Sequence, residues 1–141
     1  MIIKNGPRGL IELVDCVTEN TGKEGARVYD KSADRARVRF VNCSFRNPWT
    51  APAPDDGGPR VPIILNLRRP TSTERMGGID FQDCYVYDPA DRPVVRLEED
   101  KGDFGLRDVR GQIVVKCPGT PSLKLGTRLR DVDLKVLAAP K

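Results

Sequence analysis

A ten-residue phrase occurs three times in the chain, and it constrains the fold more than any other feature. The copies are IELVDCVTEN at 11–20, VRFVNCSFRN at 38–47 and IDFQDCYVYD at 79–88. In each copy, alternating residues lead to an Asp or Asn that a Cys follows. Two looser copies, FGLRDV and TRLRDV, begin at 104 and 127, so successive copies start 27, 41, 25 and 23 residues apart. We therefore predict five repeated units with one insertion.

The spacing and the alternation of the repeat predict stacked β-strands. Periods of about 20 to 50 residues are typical of architectures in which each unit buries its apolar face only against its neighbours. Alternation with a period of two residues predicts strands and not helices. Further strand-like runs lie between the copies, at 26–29, 61–67, 93–97 and 112–116. Each unit is thus predicted to hold two or three short strands joined by turns.

The phrase VRFVNCSFRN resembles one coil of the right-handed parallel β-helix of the pectate-lyase-like superfamily, and the resemblance covers most of 9–136. It implies an all-β fold, a right-handed parallel β-helix solenoid of about five coils. The chain would be a single domain over 1–141, with a loop insertion at about 47–60, and either a minimal version of the fold or a fragment of a longer solenoid. An antiparallel β-sandwich is the alternative fold, because it also contains alternating strands.

On that fold, equivalent residues would stack in columns with steps of about 4.8 Å. One interior column would contain Cys16, Cys43, Cys84, Val109 and Val132. A column of turns would contain Asp15, Asn42, Asp83, Asp108 and Asp131. Short polar side chains suit such turns because they tolerate a left-handed backbone. The first outward column would contain Glu12, Arg39, Asp80, Gly105 and Arg128, and the second would contain Val14, Val41, Gln82, Arg107 and Arg130.

The four cysteines are expected to be buried free thiols. No CxxC pair is present, and zinc sites need converging ligands. Stacked parallel cysteines have Cβ vectors that run side by side, which is poor geometry for a disulfide. We therefore expect no metal site and no cofactor.

Composition excludes several classes of function. The chain has no histidine, which removes Ser-His-Asp and Cys-His catalysis. Its 24 basic and 20 acidic residues are intermixed, so the net charge of +4 does not indicate nucleic-acid binding. No apolar run approaches the roughly 18 residues of a membrane span, and the N-terminus lacks the apolar core of a signal peptide. A soluble chain of open localisation is expected, secreted or at the cell surface if a leader was removed.

The insertion at 47–60 is the most suggestive segment for binding. NPWTAPAPDDGGPR holds the single Trp of the chain, Trp49, together with paired Asp and paired Gly. Long loops often carry function, and an exposed Trp stacks well on a sugar ring. The alternative is a rigid Pro-rich loop whose Trp covers an apolar edge. The predicted carbohydrate-binding residues are Trp49, Arg107, Arg128 and Arg130.

A carboxylate pair is the alternative basis for function. Glycosidases need two carboxyl groups about 5 Å or about 6.5–9.5 Å apart. The candidates are Asp55, Asp56, Asp80 and Asp83. Stacked Asp turns also bring carboxylates together for structural reasons alone. The acidic run EEDKGD at 98–103 does not have the spacing of a calcium loop.

Two hypotheses for function follow. The first is a non-catalytic module that binds polysaccharide or serves as a structural, oligomerising scaffold. The second is a polysaccharide lyase or glycoside hydrolase, or a fragment of one, that acts on an acidic polysaccharide. The open ends of a β-helix carry unpaired strand edges, so self-association of the chain through these ends is also expected.

Overall fold

The computed structural model describes residues 1–5, 9–30, 37–51, 60–67, 78–99, 109–126 and 132–140. The described residues form twelve β-strands and no helix. The strands are β1 (Ile2–Asn5), β2 (Leu10–Val14), β3 (Val17–Glu19), β4 (Ala26–Asp30), β5 (Arg37–Val41), β6 (Ser44–Arg46), β7 (Ile63–Leu67), β8 (Gly78–Tyr87), β9 (Val95–Glu99), β10 (Val109–Lys116), β11 (Leu123–Leu125) and β12 (Val132–Ala138).

The strands belong to two parallel sheets. The first has the order β1-β4-β7-β9-β11, and the second has the order β2-β5-β8-β10-β12. In the second sheet, β6 also pairs with the second half of β8, and β3 pairs with β6. Every pairing among the described strands is parallel, so the antiparallel sandwich is wrong. Along the chain, strands of the two sheets alternate in five layers, which are β1–β3, β4–β6, β7–β8, β9–β10 and β11–β12.

The predicted register of the first three copies is confirmed. Val38 pairs with both Ile11 and Ile79. Ser44 pairs with Tyr85, so Cys43 and Cys84, which directly precede them, are aligned. The turn residues Asp15, Asn42 and Asp83 have left-handed backbones, with φ of 56°, 52° and 52°. Asn42 Nδ2 donates a hydrogen bond to Asp15 Oδ1 at 2.7 Å. The short polar residue thus permits the turn and links successive layers.

The predicted register of the fourth copy on the third is wrong, whereas that of the fifth copy on the fourth is confirmed by the pairing of Val109 with Val132. Val109 pairs with Ile79 and Val132, so it does not share the column of Cys84. Ile113 pairs with Cys84 instead. The template placed the fourth copy five residues too early, because it matched 104–109 to 79–84, whereas 109–111 pair with 79–81. A β-bulge also lies beside Gly111, where β10 uses one residue fewer than β8. The other predicted members of the wrong columns, Gly105, Arg107, Asp108, Arg128, Arg130 and Asp131, lie outside the described residues.

The core lies between the two sheets and consists of the inward side chains of each layer. One inward column of the second sheet contains Leu13, Phe40, Phe81, Gly111 and Leu134. The rings of Phe40 and Phe81 stack with centroids 4.9 Å apart and an interplanar angle of 5°. Both rings are buried, so the centre of the core is a pair of aromatic rings from adjacent layers.

Candidate functional site

Asp80 lies on the outer surface of β8 within a ladder of alternating charges. The aligned residues are Glu12, Arg39, Asp80, Arg110 and Asp133. Arg110 and Asp133 take the places that were predicted for Gly105 and Arg128, because the paired segments of β10 and β12 begin five residues later than the template placed them. Arg39 lies 3.9 Å from Glu12 and 3.7 Å from Asp80. Opposite charges on adjacent strands each stabilise a sheet by less than about 1 kcal/mol when exposed.

The carboxylate of Asp80 is the most heavily bound group in this ladder. Arg37 Nη1 donates to both of its oxygens at 2.8 Å, and Arg110 Nε donates to Oδ1 at 3.0 Å. Arg37 and Arg39 come from β5 and Arg110 from β10, so Asp80 holds three layers together. This geometry is that of a structural ion-pair cluster.

Asp83 has different surroundings from Asp80. It is exposed at the left-handed turn and lines a polar depression of about 430 Å³ together with Arg110, Gln112 and Lys135. The bulge at Gly111 forms part of the floor of this depression. Asp55 and Asp56, the other two predicted catalytic residues, lie outside the described residues.

Trp49 is half-buried and held by hydrogen bonds at both ends. Its indole Nε1 donates to the Val61 carbonyl at 2.8 Å, and its backbone N–H donates to the Lys23 carbonyl at 2.8 Å. The guanidinium of Arg60 lies 5.4 Å from the ring centroid. The polar edge of the indole is therefore bonded within the chain, and only ring surface is left for a ligand.

A groove on the outer surface of the second sheet brings two tyrosines together. After the turn at Asp83, Cys84 and Val86 face the core, so Tyr85 and Tyr87 both face outward. They lie two residues apart on one strand, hence about 7 Å. Neighbouring strands complete the groove, which has a volume of about 530 Å³ and is lined by Glu19, Ser44, Arg46, Tyr85, Tyr87 and Lys116.

Each tyrosine ring of the groove has a cation over it. The guanidinium of Arg46 lies 5.7 Å from the centroid of Tyr85, and Lys116 Nζ lies 5.9 Å from that of Tyr87. The strand register places both cations in the groove, because Tyr87 pairs with Lys116 on one side and with Arg46 on the other. Arg46 lies over the ring of Tyr85, which is two residues before its paired residue on β8. The groove thus presents two aromatic faces and two positive charges, with the Glu19 carboxylate at one end.

Sequence reasoning missed this groove. Its signal was the alternation in CYVYD at 84–88, where small apolar residues take the inward positions and tyrosines the outward ones. Arg46 comes from the second copy, and the predicted register already places it opposite Tyr87. Lys116 lies on β10, whose register on β8 the template did not predict.

The cysteine column is confirmed in its first three members. All four cysteines are free, and Cys43 and Cys84 are buried. Each of these two thiols contacts a carbonyl of the preceding layer, Leu13 at 3.2 Å from Cys43 Sγ and Phe40 at 3.5 Å from Cys84 Sγ. Burial raises the pKa of Cys43, and it raises the pKa of Cys84 to about 11. These two thiols behave as small apolar groups.

The raised pKa of Cys84 predicts a loss of stability in alkali. Between the ordinary value of 9.0 and about 11, the unfolded chain releases this proton and the folded chain retains it, so rising pH favours unfolding. We expect the wild type to lose about 2 kcal/mol more than Cys84→Ala between pH 8 and pH 11. Urea unfolding of both proteins measures this difference, and parallel pH profiles would contradict the prediction.

Comparison with protein-family models, curated proteins and solved structures gave no match for the chain. The described residues include no group of three or more Cys, Asp or Glu placed to hold a metal ion. Within the same residues, no helix is long and apolar enough to cross a membrane. The tyrosine groove is therefore the structural feature from which a function can be argued.

Proposed function

We propose that the five layers are coils of a right-handed parallel β-helix, as the sequence resemblance implies. Two observations support this fold. All pairings between described strands are parallel, and the chain alternates between the two sheets at each layer. Crossover connections between parallel strands of one sheet are right-handed in about 98% of cases, which supports the hand.

We further propose that the module is non-catalytic and binds an acidic polysaccharide in the tyrosine groove. The observation that carries this proposal is the pair of outward tyrosines on β8, each with a cation within 6 Å of its ring centroid. Aromatic faces bind the apolar face of a sugar ring, and arginine and lysine bind carboxylate or sulfate groups. An acidic sugar needs an aromatic ring and a basic side chain close together, and the groove provides both.

Each lining residue has a role in this proposal. Tyr87 is 37% exposed and offers the larger stacking surface, while Tyr85 is half-buried and offers its ring edge and hydroxyl. Arg46 is suited to bidentate contact with a carboxylate, and Lys116 supplies a point charge. Glu19 and Ser44 are placed to accept hydrogen bonds from sugar hydroxyls.

The direct test is calorimetric titration of the protein with uronic acid oligomers and with matching neutral hexose oligomers. We expect Tyr87→Ala to lower the affinity for the uronic acid oligomer about tenfold or more, which corresponds to about 1.4 kcal/mol. Lys116→Gln should lower the affinity for the uronic acid oligomer and leave the affinity for the neutral hexose oligomer unchanged. The reason is that the ammonium group interacts with the carboxylates, which only the uronic acid oligomer carries.

Tyr29→Ala is the matched control. Tyr29 lies on β4 in the other sheet, and Lys4 Nζ is 5.9 Å from its ring, the same separation as in the Lys116–Tyr87 pair. This variant should retain affinity within about twofold. Equal losses in Tyr29→Ala and Tyr87→Ala, or no binding of the uronic acid oligomer by the wild type, would contradict the proposal. Circular dichroism of each variant checks that the fold is intact.

A further inference from the structure

Exposed apolar side chains concentrate in one layer of the molecule. Met1 and the first layer, β1 to β3, together contain five of the eight large hydrophobic residues that are exposed in the described chain. They are Met1 at 37%, Ile2 at 67%, Leu10 at 61%, Val14 at 53% and Val17 at 61%. Clusters of exposed apolar residues commonly mark protein contact sites.

The outward positions of this layer differ from those of the next one. Leu10 and Val14 alternate with Ile11 and Leu13, which face the core, so the exposed side chains are those on the outer surface. In the second layer, the residues paired with Ile2, Leu10 and Val17 are Arg27, Arg37 and Ser44. The fold itself therefore accepts polar side chains at these positions, and the apolar ones indicate contact with another surface.

The two ends of the core are covered to different degrees. Leu13 and Leu134 are the first and last members of one inward column. Leu134 is only 6% exposed, whereas Leu13 is half-buried, as are Ile11 and Cys16 beside it. In this column the first layer is thus less covered than the last, whereas in the other sheet Ile3 of β1 is 7% exposed and Leu125 of β11 is 47% exposed.

The strands of the first layer also have unsatisfied edges. Among the described strands, β1 pairs only with β4, β2 only with β5, and β3 only with β6. Such an edge is a template for pairing with another strand. In the described part of the last layer, β11 and β12 also pair on one side only. The first layer differs in that its free strand edges coincide with the cluster of exposed apolar side chains.

We propose that a second copy of this chain covers the first layer in a twofold symmetric dimer. In this dimer, β1 of each copy pairs antiparallel with β2 of the other. We choose the register in which core-facing residues of one copy lie opposite core-facing residues of the other. Ile3 then lies opposite Leu13 of the second copy. Exposed Ile2 then lies opposite Val14, and Lys4 lies opposite Glu12. Each of these three contacts occurs twice in the dimer, as twofold symmetry requires.

Charge complementarity selects this arrangement over two others. If β2 paired antiparallel with β2 of the second copy about its centre, Glu12 would lie opposite Glu12. If the last layer of one copy stacked in register on the first layer of the next, Asp133 would lie beside Glu12, since both occupy the same charge ladder. Like charges directly opposite destabilise strand pairs.

Light scattering coupled to size exclusion, over a range of protein concentrations, tests the proposal with a charge-pair series. The wild type should elute with twice the chain mass. Ile2→Glu and Val14→Lys should each raise the dimer dissociation constant at least tenfold. The double variant I2E/V14K should return it to within about threefold of the wild type, because the introduced charges face each other across the interface.

Leu137→Glu is the matched control, since Leu137 is an exposed apolar residue of the last layer. It should leave the dimer intact. A wild type that is monomeric at all concentrations overturns the proposal, as does a dimer that Leu137→Glu dissociates and Ile2→Glu does not. Failure of the double variant to recover the dimer overturns it as well, because the register that pairs Ile2 with Val14 would then be wrong.

Discussion

Replacing Gly111 by alanine is expected to lower the free energy of unfolding by more than about 4 kcal/mol or to prevent folding. Gly111 has a φ of 112°, a conformation that residues with a Cβ rarely adopt. A Cβ at this position would also collide with the backbone of Phe81, at 2.8 Å from its carbonyl carbon and 2.9 Å from its nitrogen. Neither atom can move without breaking the pairing of β8 with β10.

Gly22→Ala is the control for this prediction. A Cβ at Gly22 meets only the Cβ of Ala51 at 3.5 Å, an ordinary van der Waals contact. We expect its free energy of unfolding to differ from the wild type by less than about 0.5 kcal/mol. Urea unfolding followed by circular dichroism compares the two variants, and equal stabilities would show that the bulge does not depend on glycine.

Replacing Phe40 by alanine is expected to cost about 3–5 kcal/mol of stability. The side chain is fully buried, stacks on Phe81, and meets the edge of Phe45 with centroids 5.7 Å apart. Its removal would leave a cavity between three layers, because Phe40 contacts strands on both sides. Urea unfolding measures the loss.

The variant Phe40→Leu distinguishes the stability that comes from filling the core from the stability that comes from ring stacking. Leucine restores most of the buried apolar area, so a loss of only about 1–1.5 kcal/mol is expected. In a double-mutant cycle, Phe40→Leu and Phe81→Leu should show a coupling energy of about 0.5–1.5 kcal/mol from the stacked rings. Additive losses would contradict a specific contribution from stacking.

The sequence was sufficient to predict the all-β class and the register of the first three copies. Asp15, Asn42 and Asp83 mark left-handed turns, which few residue types adopt, so these positions align the flanking strands. The fourth copy was misaligned by five residues because FGLRDV at 104–109 fits the template, whereas the segment that pairs with β8 begins at Val109 and has Gly111 in place of an apolar residue and no Asp or Asn. A bulge adds a further shift of one residue. Gln112 alone stands opposite Gln82 and Asp83, and the conformation of Gly111 absorbs the difference.

The candidate site was less predictable than the fold for a physical reason. Trp49 was predicted to bind carbohydrate because an exposed indole stacks well on a sugar ring. In the structure its indole N–H donates a hydrogen bond to the Val61 carbonyl within the chain. The groove depends on residues from several strands whose proximity follows only from register. Tyr85 and Tyr87 are visible in the sequence as alternating residues, but Arg46 and Lys116 become their neighbours only when the strands are paired.

The turn that links the first three layers has a consequence for the chemical ageing of the protein. Asn42 donates to Asp15 through its amide, and a carboxylate at that position would have no proton to donate. Asparagine is among the residues that degrade at elevated temperature. Hydrolysis of this one amide would place three carboxylates in adjacent layers, where like charges oppose pairing. Ageing of the Asn42 amide would therefore remove one hydrogen bond between layers and add a repulsion of less than about 1 kcal/mol per pair.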